Sequence, residues 1–334
     1  MALPELLGTK NPKDFFNVPV RIRYQDGLYH ATIEGPQEDF QSMLKRRKQP
    51  CNPEAVRHGL EGDGYVFANL GLSIALTLNI DGRNFAVVAR QERADLGDTV
   101  GKLISGYIDA RKIFNPLQAV DEELAEEFLP YSEHQGEARL LSGMRRLSPL
   151  PKPFEGVEGV TYDESFAYQL VGSRLRVSPD LADGEVVIAG KEQTEGSPRL
   201  YFQISSNSAQ LVYNFHADIP RLPSADITLA NAERSYLVND MALLGHSEDK
   251  FDPKTGTLAV RSHEYGLLLV ALTGERLTDR VYTFERGKLD PYDRELELSE
   301  AFAPKENGIA ARQSISLTDY LNKMNPSMAP RYQR

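Results

Sequence analysis

Residues 115–130, NPLQAVDEELAEEFLP, constrain the fold of this chain more than any other stretch. Asn115 suits a helix N-cap, Pro116 the first helical position, and Gln118 the reciprocal capping place. Pro130 stops the helix, because it has no backbone N–H to continue the ladder. At about 100° per residue, Leu117, Val120, Leu124 and Phe128 share one apolar stripe. Glu123, Glu126 and Glu127 fall at i, i+3 and i+4, so the spacing predicts three carboxylates on a neighbouring face. Crowded carboxylates repel one another unless a cation stands between them. A divalent ion such as Mg²⁺ takes oxygen ligands and keeps waters that a phosphate can replace. A solvated acidic helix face is the commoner origin of such a pattern.

The helix is preceded by strands. LSIALTLNI (72–80) reads as a buried strand, Asp81-Gly82 as a hairpin turn, and FAVVAR (85–90) as the return strand. QERADLGDT (91–99) reads as a polar loop, and VGKLISGYIDA (100–110) places Gly101 and Gly106 around a short apolar strand. Upstream, 20–35 reads as a second hairpin turning at Asp26-Gly27, and 36–48 as a short helix ending in Lys45, Arg46, Arg47 and Lys48. That basic run reads as a solvated helix end rather than a phosphate or RNA contact.

Downstream, 136–147 reads as a helix carrying Arg139, Arg145 and Arg146, followed by a proline-rich surface segment. FAYQLVG, GEVVIAG, RLYFQIS, QLVYNFHADI and VYTFERG are strand candidates; Leu211, Tyr213 and Phe215 alternate onto one side. The apolar run within 258–274 has the length of a buried helix. Residues 235–245 read as a strand entering a helix, 246–256 as a turn-rich structural loop, and 316–324 as a short terminal helix.

Composition narrows the function. The chain has 334 residues and a formal charge of −10, which argues against a general nucleic-acid binder. Cys51 is the only cysteine, so no internal disulfide can form, and a reducing, cytoplasmic setting is the simplest reading. No run of apolar residues is long enough for a transmembrane helix, and the N-terminus lacks the pattern of a signal peptide. The six histidines show no paired metal spacing; His216-Ala217-Asp218 and His263-Glu264 read as structural. There is no Gly-x-Ser-x-Gly elbow, no Gly-x-x-x-x-Gly-Lys-Ser/Thr loop and no dinucleotide fingerprint.

The order strand, Asp-Gly turn, strand, GKLISGYID, QAVDEELAEEF resembles the Nudix hydrolase family over about residues 65–130. Gly106 matches the opening glycine of that family's box, and Glu123, Leu124, Glu126 and Glu127 match its Glu-apolar-x-Glu-Glu. Four features depart from the pattern. Lys112 stands at the early glutamate, Glu122 at the arginine, and Leu129 at the closing glycine, while the loop from Gly106 to Glu123 is two positions longer. Lys112 or Arg111 pairing with Glu122 is the charge-swapped form of the family's loop-to-helix tie.

The resemblance implies an α+β fold, a Nudix-like α/β/α sandwich with a mixed sheet spanning 65–285. An N-terminal extension would occupy 1–64 and a C-terminal extension and tail 286–334. It implies metal-assisted hydrolysis of a pyrophosphate bond in a nucleoside diphosphate linked to another group. Glu123, Glu126 and Glu127 would hold Mg²⁺ or Mn²⁺ and serve catalysis, with Arg90, Arg93, Lys102 and Gly106 as substrate contacts. The alternative is a catalytically inactive Nudix-like nucleotide sensor or assembly protein. The expected partner is a nucleoside-diphosphate-type small molecule, without membrane or nucleic acid; a homodimer is compatible with either reading.

Overall fold

The structure, a computed structural model, describes residues 19–36, 52–61, 65–93, 98–172, 185–190, 198–203, 208–219, 227–231, 265–273 and 276–293, together with isolated short pieces. In chain order the strands begin with β1 (Pro19–Gln25) and β2 (Leu28–Ile33). Helix α1 (Pro53–Glu61) follows, then β3 (Val66–Ile80), β4 (Arg83–Arg93), β5 (Asp98–Lys102) and β6 (Ile104–Tyr107). Helix α2 (Pro116–Glu127) leads to β7 (Leu129–His134), β8 (Glu137–Arg145), β9 (Ser148–Pro149) and β10 (Val160–Gly172). Then come β11 (Glu185–Gly190), β12 (Arg199–Gln203), β13 (Ser208–Asp218) and β14 (Thr228–Ala230). After a two-stranded ribbon of β15 (Phe251–Asp252) and β16 (Thr257–Leu258) come β17 (Tyr265–Thr273), β18 (Arg276–Glu285) and β19 (Lys288–Pro291), and then four pieces of two or three residues that join the same sheet, β20 (Glu297–Leu298), β21 (Ala303–Pro304), β22 (Ile309–Ala311) and β23 (Ile315–Ser316).

The central strand is β3. Leu70, Leu72, Ile74, Leu76 and Leu78 alternate onto one face and are fully buried. One edge of β3 pairs in parallel with β13, which brings Leu211, Tyr213 and Phe215 beside Leu72, Ile74 and Leu76. The other edge pairs in turn with β1, β6 and β4, all antiparallel. Asp81 and Gly82 both have positive φ (52° and 76°), the conformation a two-residue primed turn demands, so the β3–β4 hairpin forms where the Asp-Gly pair predicts it. From β3 the pairing runs outward through β4, β17, β18 and β19 on one side. On the other side it runs through β13, β10, β8, β7 and β14.

The sheet curls until its two ends meet. Ile227, next to β14, accepts a hydrogen bond from Gly287 N–H at 2.8 Å, and Thr228 Oγ1 accepts one from Arg286 N–H at 3.0 Å. Helix α2 lies on the leucine-bearing face of β3, with Leu117, Val120, Leu124 and Phe128 in the same core as Leu72, Phe85, Tyr168 and Phe215. Phe128 meets Tyr168 edge-on at 5.3 Å between ring centroids. The reverse face of β3 and β13 is buried too, yet it carries Asn69, Ser73, Thr77, Ser208, Gln210 and Asn214.

Several expectations are corrected. The described residues hold two α-helices and are otherwise strand-rich, so the fold is a curled, mixed β-sheet and not an α/β/α sandwich of the α+β class. Residues 137–145, expected within a helix, form β8, where Ala138 and Leu140 are buried and Glu137 and Arg139 are exposed. Residues 265–273 form β17 and not a helix: flanked by β4 and β18, the strand has Leu267 and Leu269 on one face and Leu268 and Val270 on the other, all buried. The expected loop 91–99 enters as the end of β4 and leaves as the start of β5. The hairpin β1–β2, assigned from sequence to an extension, hydrogen-bonds to β3 and β11 and shares their sheet. The expected element at 235–245, that at 316–324 beyond Ser316, and most of the helix at 36–48 with its basic run lie outside the described residues.

Candidate functional site

The site is built from β6, the turn after it, and α2. Ile108 N–H donates to the Leu70 carbonyl of β3, which carries the chain off the sheet edge. Asp109 then accepts from Arg111 N–H at 2.8 Å and from Arg111 Nε at 2.9 Å, closing a tight Asx-type turn. Partial burial pushes the Asp109 carboxyl upward, but the Arg111 bonds outweigh it and hold the pKa below the usual aspartate value. Residues 110–112 form one turn of 3₁₀ helix, and Asn115 N–H donates to the Lys112 carbonyl. The Asn115 side chain makes no capping bond; the cap contact is Gln118 N–H to the Asn115 backbone carbonyl at 3.0 Å. The Gln118 side chain reaches Glu122 instead of folding back to the cap.

Each acid on α2 has its own place. Asp121 takes a bidentate pair from Arg145 of β8, at 2.8 and 2.7 Å, which raises the arginine's pKa and fastens the helix to the sheet. Glu122 pairs with Lys112, the charge-swapped tie anticipated from sequence. Glu123 is half-buried, and its carboxylate rests over the backbone of Gly106. Glu126 is half-buried one turn on. Glu127 is buried, 2% exposed, and accepts from Asn231 Nδ2 at 3.4 Å. The helical wheel explains this, since Glu127 is seven positions beyond Val120 and three beyond Leu124, within the apolar stripe and not beside it.

Strand register sorts the basic residues. Lys102 pairs with Ala89 and, two positions before Ile104, lies on the sheet face that α2 covers, as does Gly106 opposite Leu72. Arg90 pairs with Gly101 and Gly266 and lies on the reverse face, with its guanidinium beside Gly266. Arg93 ends β4 opposite Asp98. Thus Gly106, Lys102 and Glu123 share a face, while Arg90 is separated from them by the thickness of the sheet. His216 also lies on the reverse face, between Thr77 Oγ1 at 3.0 Å and Asp218 at 3.3 Å.

The donors match a divalent ion chemically, since all are carboxylate oxygens. Among the described residues, no group of three or more acids, histidines or cysteines is gathered so that it could hold a metal ion. Mg²⁺ is ordinarily held by one or two carboxylates with waters and substrate phosphates, and Glu123 and Glu126, both half-buried on α2, suit that open type. Sequence reasoning missed the polar reverse face of β3 and β13. Its signal was a polar residue at every fourth place, Asn69, Ser73, Thr77 and again Gln210, Asn214, all on one face of their strands.

No family model matches the chain, and no curated protein is significantly similar to it. No helix among the described residues is long and apolar enough to cross a membrane.

Proposed function

We propose that this chain is a divergent Nudix-type pyrophosphohydrolase acting on a nucleoside diphosphate linked to a further group. What carries the reading is the contact between Glu123 and Gly106. Two elements of the sequence pattern, on different secondary structures, meet on the face where Lys102 also lies. In this reading Glu123 and Glu126 would hold Mg²⁺ or Mn²⁺ together with the substrate's own phosphates, and the bound ion supplies charge neutralisation and a more acidic water. Lys102 offers a positive charge to the phosphates. Lys112 and Arg111 serve the turn, through Glu122 and Asp109. Arg90, on the reverse face, has no part in it.

The test is phosphate release from a panel of nucleoside-diphosphate sugars, dinucleotides and nucleoside triphosphates, with Mg²⁺ or Mn²⁺, for wild type and E123Q. Metal-dependent release that E123Q lowers by about 100-fold or more is the expected outcome.

A second reading, a nucleotide sensor or assembly protein without turnover, draws on the burial of Glu127 against Asn231. That acid is spent on the core. Nucleotide binding by wild type with no release across the panel would favour this reading over the first.

A further inference from the structure

Gly106 sits in the middle of β6, hydrogen-bonded in register with Leu72. Its φ is not positive, so the backbone at this position accepts any L-residue. A glycine inside a strand weakens it, by chain entropy and by the missing side chain. Its presence therefore calls for another cause, and the structure offers one. A Cβ at Gly106 would overlap Oε1 and Cδ of Glu123. Ile104, the preceding residue on the same face, is a large apolar side chain packed into the core. The face is closed on one side of Gly106 and open above it, and the Glu123 carboxylate stands in that opening.

We propose that Gly106 is a positioning residue that seats the Glu123 carboxylate against β6 and makes no contact with substrate. The neighbouring acids on α2 are held from elsewhere: Asp121 by Arg145, Glu122 by Lys112, and Glu127 within the core near Asn231. The Glu123 carboxylate lies in the space that a side chain at position 106 would fill, so one added methyl group displaces it. The geometric claim stands on the contact itself. The claim that the seat serves catalysis rests on the proposed hydrolase.

The experiment is a double-mutant cycle on the full chain, read by thermal melting and by metal-dependent phosphate release. G106A is expected to lower the melting temperature by about 5 °C. E123A alone should shift it little. In G106A/E123A the methyl group occupies the space the carboxylate left, and at least half of the loss should return. G106A should also lower phosphate release by about tenfold or more. G106A/E123D, one methylene shorter, should recover part of that release, whereas E123D in the wild-type background should lower it. Equal destabilisation by G106A with or without the Glu123 carboxylate would overturn the seat. Recovery of stability in the double variant without recovery of release in G106A/E123D would overturn the catalytic role while leaving the seat. Should wild type itself release no phosphate, the melting cycle alone decides the seat, and it is the hydrolase reading that falls.

Discussion

Asp121 and Arg145 are 24 positions apart in sequence, yet they form the best-aligned ion pair on α2. Both side chains are mostly sheltered from water, so removing one strands the other. D121A is expected to destabilise by about 2 kcal/mol, read as a lower urea midpoint at unchanged m-value. D121A/R145A should cost less than the sum of the two single changes, because neither charge is then left alone. The Lys112–Glu122 pair is nearer solvent. Exchanging its residues, K112E/E122K, should change stability by no more than about 0.5 kcal/mol in the same assay, and a marked loss would show that position as well as charge matters. At this scale the sequence was legible where chemistry is local. The Lys112–Glu122 tie could be anticipated because both residues flank one loop. The Asp121–Arg145 pair could not, since the stretch holding Arg145 read as a helix and nothing in the chain tells which strand packs beside α2.

The fate of α2 and β8 shows how far periodicity reaches at the scale of elements. The apolar stripe of α2 was readable, and the core holds it: Leu124 has no exposed surface. L124A is expected to cost about 3 kcal/mol by denaturant unfolding, from lost burial plus the cavity left behind. The stripe is wider than four residues, however, and it takes in Glu127, so three acids that sequence spacing groups together are divided by tertiary packing. In β8 the alternation of Ala138 and Leu140 with Glu137 and Arg139 is a strand signal that the basic, mixed composition of 136–147 obscured. What fixes the strand is the turn before it. Gln135 and Gly136 both take positive φ, 52° and 85°, and send the chain back along β7. G136A is therefore expected to destabilise by about 1 kcal/mol or more, with the folded far-UV spectrum retained.

Across the whole molecule, long-range pairs hold the curled sheet together, and one of them carries a pH signature. Arg23 of β1 grips Glu185 of β11 and holds its carboxyl below the usual glutamate value, against a smaller upward push from burial. A carboxylate with a lowered folded pKa adds stability above its unfolded value near 4.5 and loses it as pH falls through the lowered one. Unfolding midpoints measured from pH 7 down to pH 3 should fall, and E185Q should flatten that fall, by about 0.5 kcal/mol for a pair this open to solvent. The sequence by itself determined what is written within a dozen residues. It placed the Asp-Gly hairpins, the strand of 72–80, the alternation of 210–219, the proline-bounded helix and its apolar stripe. Such features follow from local sterics and from the period of burial, and each can be tested against one segment. Only the tertiary structure decided that β3 lies between β13 and three successive partners, that 265–273 is a strand, that Arg90 faces away from α2, and that Glu123 rests on Gly106. An apolar run is buried equally well as a helix or as a strand between two others. A side chain's face depends on a register set by a distant partner, so these outcomes belong to the assembled sheet and not to any stretch of the chain.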